Sequence, residues 1–375
     1  MSIEVTAVRN ARELNAFVRV PALIRRRTRW TPASEVWTRA LLGRRSNPFY
    51  RHAERHLLLA RKDGQLAGRV AAHVDHLCNR ALAESQGTFG LLDCEPHPRL
   101  VSALLDGVEK WLVAKGATLA RGPLGPTMRL GAGLLVDGHA EPPTPGLDTN
   151  PPELPPLLER AGYAPARDML AFRLDASGLP LEVARASDDA RRTPGLTLRP
   201  IRPERLADEL PRVLEVLNDL PAHGRACAPW SEAELRWTVA RLRPMVDPGL
   251  VLLLEVDGVA AGLGIALRNV REALGGRGTS KALLDATRVA AALRLNRLRS
   301  ARIAVLAVRP RYLDPGGRGL LALLLAELLG RMRLLGVQWA EVSLVDPTDL
   351  PLTELLAAAG ARPYKTYRIY EKLLG

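Results

Sequence analysis

The chain has little cysteine and no long apolar run. Its three cysteines, Cys78, Cys94 and Cys227, are scattered through 375 residues. Because they form neither a disulfide framework nor a metal-binding spacing, the sequence predicts a metal-free protein of a reducing compartment. No uninterrupted apolar stretch approaches the roughly 18 residues of a membrane-spanning helix, and the first segment, MSIEVTAVRN, has no apolar signal core. We therefore expect a cytoplasmic protein, with peripheral contact at the inner membrane surface left open.

Lysine is also scarce, since it supplies only 6 of the 53 basic residues in a chain of net charge +13. An arginine bias from a GC-rich genome explains this basic excess without any nucleic-acid partner. No helix-turn-helix, zinc-ligand set or aromatic-basic strand motif accompanies the charge. A basic nucleic-acid-binding protein is therefore only the third of the functions considered.

The basic residues are concentrated in one segment, Arg271–Arg302, which holds eight basic and two acidic residues with leucine and valine between them. A basic amphipathic helix of this composition can lie on an anionic membrane surface. An ordinary surface helix with one buried side shows the same pattern. The sequence leaves both interpretations open.

Two segments of the chain repeat one pattern. Leu57–Val74 and Leu250–Leu267 each contain an apolar run, an Asp-Gly pair, and a second apolar run with a glycine four residues after the first glycine. Asp-Gly between β-prone runs predicts a hairpin, because the turn needs positive φ at its centre. A single repetition at this distance indicates two similar domains.

The elements predicted after each hairpin also match: a strand, a helix, a strand, a short helix and a last strand. The short helices end at Gly162 and Gly360, which suit the left-handed position after a helix. This order predicts an α/β fold with a mixed sheet in each half. We expect an N-terminal domain over 1–177, a Pro-, Gly- and charge-rich linker over 178–195, and a C-terminal domain over 196–375.

One loop of the second half has the features of a phosphate site. It reads VRPRYLDPGGRGL over Val308–Leu320 and connects a predicted strand to a predicted helix. Gly317 and Gly319 let the backbone approach a ligand, and free amides at the start of the helix attract phosphate oxygens. Its three arginines can add charge-assisted bonds. They are Arg309, Arg311 and Arg318. The equivalent segment of the first half lacks these glycines, so the sequence predicts one phosphate site, in the C-terminal domain.

The chain resembles a known family at several short motifs. They are Asn47-Pro48-Phe49-Tyr50, His52-Ala53-Glu54, Gly68–Ala72, Arg121-Gly122-Pro123, Asn150-Pro151-Pro152 and Tyr364–Lys372. With the strand, glycine loop and helix described above, they are similar to the two-domain YghO-like branch of the GNAT acyl-CoA N-acyltransferase superfamily, which includes bacterial ceramide synthases. The resemblance runs nearly end to end. It implies two tandem GNAT-like domains, each a mixed, mostly antiparallel sheet flanked by helices.

The resemblance implies acyl-CoA as the donor substrate. The glycine loop, present in the second half alone, assigns its binding to the C-terminal domain, and the cysteine spacing predicts no metal. The pyrophosphate of the donor would contact the glycine loop and the start of the following helix. The positions carried over from the family pattern are Val308, Arg311, Gly316, Gly317, Arg318, Gly319 and Leu320.

The resemblance also implies direct transfer, in which a neutral amine attacks the thioester carbonyl and a base takes up its proton. Glu341 matches a family acid and is the predicted base or proton relay, although its alternating strand also suits a surface residue. His52 and Glu54 would share one face of an extended segment, where they either relay a proton and hold the amine or form a structural pair. Tyr367 suits either substrate binding or a structural role in the closing strand. The predicted substrate contacts are Arg69, Asp75, Asn79, Asn218 and Tyr367.

The chain departs from the family pattern at important positions. Asp314 stands where Gln or Arg usually opens the phosphate loop, and the helix before Gly360 lacks the tyrosine that many GNAT enzymes use as a general acid. The predicted function is N-acyl transfer from acyl-CoA to an amine, with a long-chain, sphingoid-type base as the sharpest version of the acceptor. The open alternative is a catalytically inactive paralogue that binds acyl-CoA or lipid.

Overall fold

The structure is a computed structural model. It describes residues 1–24, 34–125, 132–220, 229–243, 246–274, 282–313 and 318–375. Within these ranges it contains one mixed sheet of 13 strands with helices on both faces. The predicted α/β class, with mostly antiparallel pairing, is confirmed.

The first half of the chain begins with a strand and two helices that precede the first hairpin. Its elements are β1 (Ile3–Ala7), α1 (Ala11–Ile24), α2 (Glu35–Leu41), β2 (Ala53–Lys62), β3 (Gln65–Asp75), α3 (His76–Leu82), β4 (Gln86–Cys94), α4 (Pro98–Ala114), β5 (Leu119–Gly122), β6 (Leu134–Asp137), α5 (Leu154–Arg160) and β7 (Ala164–Asp175).

The second half repeats this order, without a counterpart of β6, after one additional helix, α6, which lies in the segment predicted as a linker. Its elements are α6 (Leu181–Arg191), β8 (Leu196–Pro200), α7 (Leu206–Asp219), α8 (Glu232–Leu242), β9 (Val251–Val256), β10 (Val259–Arg268), α9 (Ala282–Arg294), β11 (Ser300–Val308), α10 (Gly319–Leu334), β12 (Trp339–Val345), α11 (Leu350–Ala358) and β13 (Arg362–Leu373).

Both predicted hairpins are present, and their Asp-Gly pairs form the turns. Asp63 and Gly64 have φ of +50° and +80° between β2 and β3, and Asp257 and Gly258 have +50° and +75° between β9 and β10. Two successive positive φ angles define the tight turn whose twist matches that of the flanking strands. Aspartate tolerates this region and glycine has no Cβ to oppose it, so the repeated dipeptide fixes the register of both hairpins.

The later glycine of each repeat leaves room for a long helix to pack against the sheet. A Cβ at Gly68 would lie 2.9 Å from Cδ1 of Leu104 in α4, and a Cβ at Gly262 would lie 3.2 Å from Cδ1 of Leu324 in α10. Both leucines are fully buried in the apolar cores that α4 and α10 cover. The glycine therefore marks a point where the helix packs closely on the sheet in each half.

The two halves exchange their last strands. The sheet order is β1-β2-β3-β4-β5-β13-β7-β12-β11-β10-β9-β8, and β6 pairs with β13 outside this path. The C-terminal strand β13 thus pairs with β5 of the first half, while β7 of the first half pairs with β12 of the second. The exchange joins both halves in one continuous sheet.

The helix that connects the halves packs closely on the second half. A Cβ at Gly319, the first residue of α10, would lie 3.3 Å from Cβ of Ala190 in α6. On the opposite face of the sheet, α7 and α8 cover β9 and β10 with a separate apolar cluster that includes Leu210 and Leu253.

Among the described helices, none combines the length and the apolar character needed to cross a bilayer.

Candidate active site

Strands β11 and β12 run parallel but remain paired over only part of their length. The paired residues run from Ser300 opposite Trp339 to Ile303 opposite Val342. Farther along, β12 pairs with β7 on its other side, as far as Val345. In the described sheet, one backbone edge of β11 beyond Ile303 therefore has no strand partner, and a gap opens between β11 and β12.

A large cavity occupies this gap. Its volume is about 810 Å³, and its walls include residues 304–308 of β11, residues 342–345 of β12, and side chains of α7, α8 and α11. Most of the lining is aliphatic, as shown by Val213, Leu235 and Leu352. A volume of this size lies within the range of small-molecule binding sites, and the aliphatic walls suit an extended hydrocarbon chain.

Asn218 connects two walls of the cavity. This residue lies near the end of α7, and its side-chain amide donates to the carbonyl oxygen of Trp230 at 3.1 Å and accepts from the Trp230 amide at 2.7 Å. Both residues line the cavity. The two bonds hold the segment before α8 against α7, so the structure gives the predicted substrate residue Asn218 a defined contact at the cavity.

The first described residues of the predicted phosphate loop line the cavity, including Val308, Pro310 and Leu313. Its central residues, Asp314, Gly316 and Gly317, fall outside the described residues. Leu320 packs against the core beneath α10.

The charged residues that flank this loop have contacts of their own. The Arg311 guanidinium lies 4.8 Å from the ring centroid of Tyr312. The Arg318 guanidinium lies 3.2 Å from Glu354, and both of these side chains are about half exposed. Arg318 therefore stands directly before α10, where amides of the first helical turn lack intrahelical partners. Arg311 is a second exposed cation, earlier in the same loop.

Arg309 does not belong to this exposed group, although the sequence suggested it as a phosphate ligand. Its Nε donates to Asp219 at 2.7 Å, and its Nη1 donates to Glu215 at 2.5 Å and to the carbonyl oxygen of Ala260 at 2.9 Å. Only 8% of the side chain is exposed. Arg309 joins α7 to the sheet, and the prediction that it binds phosphate is wrong.

Glu341 is fully buried in a polar network where the two halves meet. Its carboxylate accepts from Nζ of Lys365 at 2.9 Å, from the hydroxyl of Ser343 at 2.6 Å and from the hydroxyl of Thr144 at 2.5 Å. The Tyr364 hydroxyl donates to the same carboxylate. Thr144 comes from the first half, while Lys365 and Tyr364 belong to the exchanged strand β13. The surface alternative for Glu341 is therefore wrong.

The network keeps Glu341 ionised and connects it with the cavity. Burial raises the pKa of Glu341, but Lys365, Arg302 and the hydroxyl donors outweigh it and hold the pKa below its usual value. Glu341 itself is not part of the cavity wall. Ser343, which donates to Glu341 and accepts from Nε of Arg302 at 3.0 Å, does line the cavity. Ser343 is thus the residue through which Glu341 reaches the site.

His52 lies between two carboxylates, one from each half of the chain. Its Nδ1 is 2.9 Å from Oδ1 of Asp75, and its Nε2 is 3.4 Å from Oε1 of Glu234 in α8. The bonds to Asp75 and Glu234 outweigh burial and raise the pKa of His52 to about 9. Burial raises the pKa of Glu234, but His52 and the capping residue Ser231 lower it to about 2. At neutral pH His52 is therefore a cation that holds α8 against the first half.

Glu54 does not share the environment of His52. Its carboxylate lies 3.1 Å from Nε2 of His76 and 2.6 Å from Nζ of Lys115, on the exposed surface of the first half. Hydrogen bonds from Lys115 and His76 lower its pKa. The predicted pairing of His52 with Glu54 is wrong, because His52 lies at the end of the helical turn before β2 and binds Asp75, whereas Glu54 lies in β2 and binds His76 and Lys115.

Comparison with known proteins shows which family the chain belongs to. No family model matches the chain. The chain is 31% identical over 376 residues to the bacterial ceramide synthase of Caulobacter vibrioides, covering 99% of this chain and 98% of that protein. It is 27% identical over 370 residues to protein YghO of Escherichia coli, covering 97% and 93%. The chain belongs to the two-domain YghO-like branch of the GNAT N-acyltransferase superfamily.

Solved structures confirm the tandem GNAT fold. A tandem GNAT protein from the clavulanic acid biosynthesis pathway matches with a TM-score of 0.58 and 16% identity, covering 100% of this chain and 99% of that chain. A GCN5-related N-acetyltransferase from Sphaerobacter thermophilus matches with a TM-score of 0.53 and 17% identity, covering 99% and 96%. The splayed strands β11 and β12, with the gap between them, lie in the second half of the chain.

Three other positions of the YghO-like motifs have structural partners. The Arg69 guanidinium is buried and donates to Asp93 at 2.8 Å. Asp75 accepts from the first amides of α3 in addition to His52. Asn79 donates to the carbonyl oxygen of Gln86 and accepts from its amide. The cavity does not include these three side chains. Their role as substrate contacts stays a prediction.

Tyr367 is the remaining predicted substrate residue. It is 1% exposed and packs in an apolar cluster that contains residues of both halves, including Leu135 and Leu344. Its hydroxyl is buried and, in the described part of the structure, has no hydrogen-bond partner. Burial raises its pKa well above the usual value, with a further contribution from Glu341. The neutral phenol lies where the two halves meet, near the Glu341 network.

The sequence did not identify Lys365, Arg302 or Ser343 as members of one network. Lys365 lies in the Tyr-Lys-Thr-Tyr motif that carried the family resemblance most specifically, and this motif was the available signal. Arg302 was counted in the basic surface segment but is 2% exposed, so that assignment is wrong for this residue. Cys78 is disulfide-bonded, a bond that the spacing of the cysteines did not predict.

Proposed function

We propose that this chain is an N-acyltransferase that moves an acyl group from acyl-CoA to the amine of an amphipathic acceptor, such as a long-chain, sphingoid-type base. Membership of the YghO-like branch supports acyl transfer of the GNAT type. The relative named bacterial ceramide synthase supports a lipid acceptor, because the identity to it extends over both halves. The cavity of about 810 Å³ at the splayed strands is the observation that carries the proposal.

The donor would enter between β11 and β12. Its phosphates would approach the start of α10, where free amides, Arg311 and Arg318 attract anions. The thioester would lie against the unpaired backbone edge of β11 beyond Ile303, where an amide can donate to the carbonyl oxygen as negative charge develops. The acyl chain would occupy the aliphatic region between α7 and α8.

The chemical step is direct transfer. The amine nitrogen attacks the thioester carbon, the new C–N bond forms, the C–S bond breaks, and CoA leaves as a thiolate. The ammonium proton must be removed, and Ser343 offers the polar contact at the cavity wall from which it can pass to solvent or to the leaving thiolate. Glu341 acts in this proposal as a positioning residue, because its carboxylate orients the Ser343 hydroxyl and its low pKa makes it a weak base.

The other predicted catalytic residues have supporting roles in the proposal. His52 is protonated at neutral pH and does not line the cavity, so it stabilises α8, one of the cavity walls, instead of accepting a proton. Glu54 contacts His76 and Lys115 on the surface. The described cavity wall includes two carboxylates: Glu209, which accepts from Arg199 at 3.0 Å, and Asp349, which accepts from the Leu352 amide at 3.4 Å and caps α11.

Release of free thiol tests the proposal directly. Purified protein is assayed with acyl-CoA donors from acetyl to stearoyl, each with a short amine and with a sphingoid base. We expect the highest kcat/KM with a long-chain donor and the amphipathic amine, and a lower but measurable value with acetyl-CoA. Val305→Trp fills part of the cavity and should lower kcat/KM for the long donors by about 100-fold, while the value for acetyl-CoA changes by less than about 5-fold.

A catalytically inactive binding protein is the second candidate, favoured by the absence of Glu341, His52 and Glu54 from the cavity wall. In that case acyl-CoA or lipid co-purifies and is identified by mass spectrometry, but no amine releases thiol. Loss of ligand binding in Val305→Trp would then still place the ligand in this cavity. A protein that binds no acyl-CoA of any length would contradict both candidates.

A further inference from the structure

The segment from Arg288 to Arg299, which includes the second half of α9 and the turn after it, presents an unusual surface. Four arginines in it are exposed, and none of the four has a carboxylate partner among the described residues. They are Arg288, Arg294, Arg297 and Arg299. Leu295, in the middle of the group, is 58% exposed. We name this surface the α9 arginine face.

The opposite side of α9 is fixed to the protein. Ala292 and Leu298 are buried together with Val270 in a small apolar cluster, and Val289 and Leu293 pack against it. The buried Arg268 donates from Nη1 to the carbonyl oxygen of Leu293 at 3.1 Å. The apolar cluster and the bond from Arg268 already hold α9 against the protein, so the exposed arginines are not needed to keep the helix in place.

Glu272, a described acidic residue next to this surface, already has other partners. Glu272 accepts from the backbone amide of Arg299 at 2.7 Å and from the hydroxyl of Ser300, and it closes the turn at the start of β11. It therefore neutralises backbone and hydroxyl donors and pairs with none of the four guanidinium groups. The face keeps a concentrated positive charge.

From this arrangement we propose that the α9 arginine face binds an anionic lipid bilayer. Guanidinium groups near a bilayer surface attract anionic headgroups, and each contributes about a 5-fold increase in binding. An exposed leucine among them can enter the interfacial region, as in peripheral amphipathic helices. A nucleic acid would also attract the arginines, but it gains nothing from Leu295, and the described face lacks aromatic side chains on which bases stack.

The placement connects the face with the cavity. Arg268, which holds α9, directly follows Leu267, and Leu267 lines the cavity wall. A bilayer on the α9 arginine face would therefore lie near one end of the cavity. The link between the face and the cavity rests on the proposed function. Bilayer binding itself does not, since it can be measured without any acyl transfer.

Vesicle flotation tests the inference. The full-length protein is mixed with phosphatidylcholine vesicles with and without about 30% phosphatidylglycerol, and the bound fraction is measured. We expect binding only to the anionic vesicles, weakened when NaCl is raised from about 0.1 M to about 0.5 M. Arg288→Glu with Arg294→Glu should lower binding at least 25-fold, and Leu295→Asp should also lower it.

Matched variants carry the control. Arg99→Glu with Arg160→Glu changes the net charge by the same amount at two exposed arginines of α4 and α5, and Leu334→Asp changes another exposed leucine, 84% accessible at the end of α10. These should bind as the unchanged protein does. Equal losses in both sets, equal binding to neutral vesicles, or arginine-dependent binding to DNA without vesicle binding would overturn the inference.

Thiol release with a soluble donor and acceptor separates this inference from the proposed function. The α9 variants should keep the rate of the unchanged protein in that assay. Vesicle binding by a protein without thiol release would leave the membrane inference standing alone, and thiol release without vesicle binding would refute it while sustaining the proposed function.

Discussion

Nζ of Lys365 lies 2.9 Å from the carboxylate of Glu341, and both side chains are completely buried. Lys365 belongs to the exchanged strand β13, while Glu341 belongs to β12, which is separated from β13 in the sheet by β7. The ion pair therefore spans the seam between the halves. Lys365 also donates to the carbonyl oxygen of Pro142 in a loop of the first half at 2.7 Å.

Removing one partner of this pair should be costly. Glu341→Gln leaves Lys365 charged and buried, so we expect the free energy of unfolding to fall by about 3–5 kcal/mol in urea denaturation. Glu341→Leu with Lys365→Met should recover much of this loss, since no buried charge remains. The exposed pair Glu232–Arg236 is the control, and Glu232→Gln should cost less than about 1 kcal/mol. A cost below 1 kcal/mol for Glu341→Gln would show that the pair is not buried as described.

The two histidines near the start of β2 should titrate far apart. The pKa of His52 is raised to about 9 by Asp75 and Glu234, whereas burial lowers the pKa of His73 to about 3. Imidazole NMR signals should give one midpoint near each value. Because the folded-state pKa of His52 lies above its unfolded value, its stabilising effect is complete below about pH 6.5 and is lost as the pH rises through about 9.

The same histidine gives a pH-dependent stability difference. His52→Ala should lower the melting temperature relative to the unchanged protein at pH 6.5, and this difference should shrink steadily towards pH 10 as the imidazolium deprotonates. Glu234→Gln should show the same pH trend because it removes the partner in α8. A difference that is constant across this pH range would mean that His52 contributes only by packing.

Asn218 should matter for long acyl chains more than for short ones. Asn218→Ala removes both bonds to the Trp230 backbone and so releases Trp230, directly before α8, from α7 at the cavity. We expect KM for a long-chain donor to rise about 10-fold with little change for a short donor. Asn218→Asp keeps the acceptor and should have a smaller effect. Equal changes for both donors would assign Asn218 to overall stability.

Arg309 and Arg318 should respond in opposite ways. Arg309→Met loses three hydrogen bonds to α7 and to the sheet, which should cost about 1–3 kcal/mol of stability and leave the dissociation constant of CoA within about 2-fold. Arg318→Met should change stability little but weaken CoA binding about 10-fold, because its partner Glu354 is exposed and a phosphate can replace it. Calorimetric titration with CoA measures the dissociation constants of both variants. Weaker CoA binding by Arg309→Met than by Arg318→Met would return Arg309 to the phosphate site.

Local signals in the sequence predicted the repeated parts of the fold. The Asp-Gly pairs set both hairpins because only a few residues accept the backbone angles of that turn. Gly162 and Gly360 end α5 and α11 at φ of +89° and +77°, as predicted. These features depend on residues within one turn of the chain, so a single sequence contains the information for them.

The pairing of distant strands was beyond the sequence. The alternation of inward- and outward-facing residues in β7 and β13 is the same whichever strand they pair with, and no local sequence feature indicates the exchange between halves. For the same reason Glu341 suited a surface position, because its partners Thr144 and Lys365 lie 197 and 24 residues away. Period-two spacing placed His52 and Glu54 together, but His52 ends the short helical turn before β2 and takes its partners from other elements.

The exchange of β7 and β13 has a consequence for synthesis on the ribosome. Strand β5 receives its neighbour β13 only when residues 362–373 have been translated, so the first half cannot finish its sheet while the second half is still emerging. Deleting the last dozen residues would expose an unpaired strand edge in the half of the molecule that is remote in sequence, and such edges promote aggregation. A C-terminal nonsense mutation should therefore deplete the protein as severely as an early one.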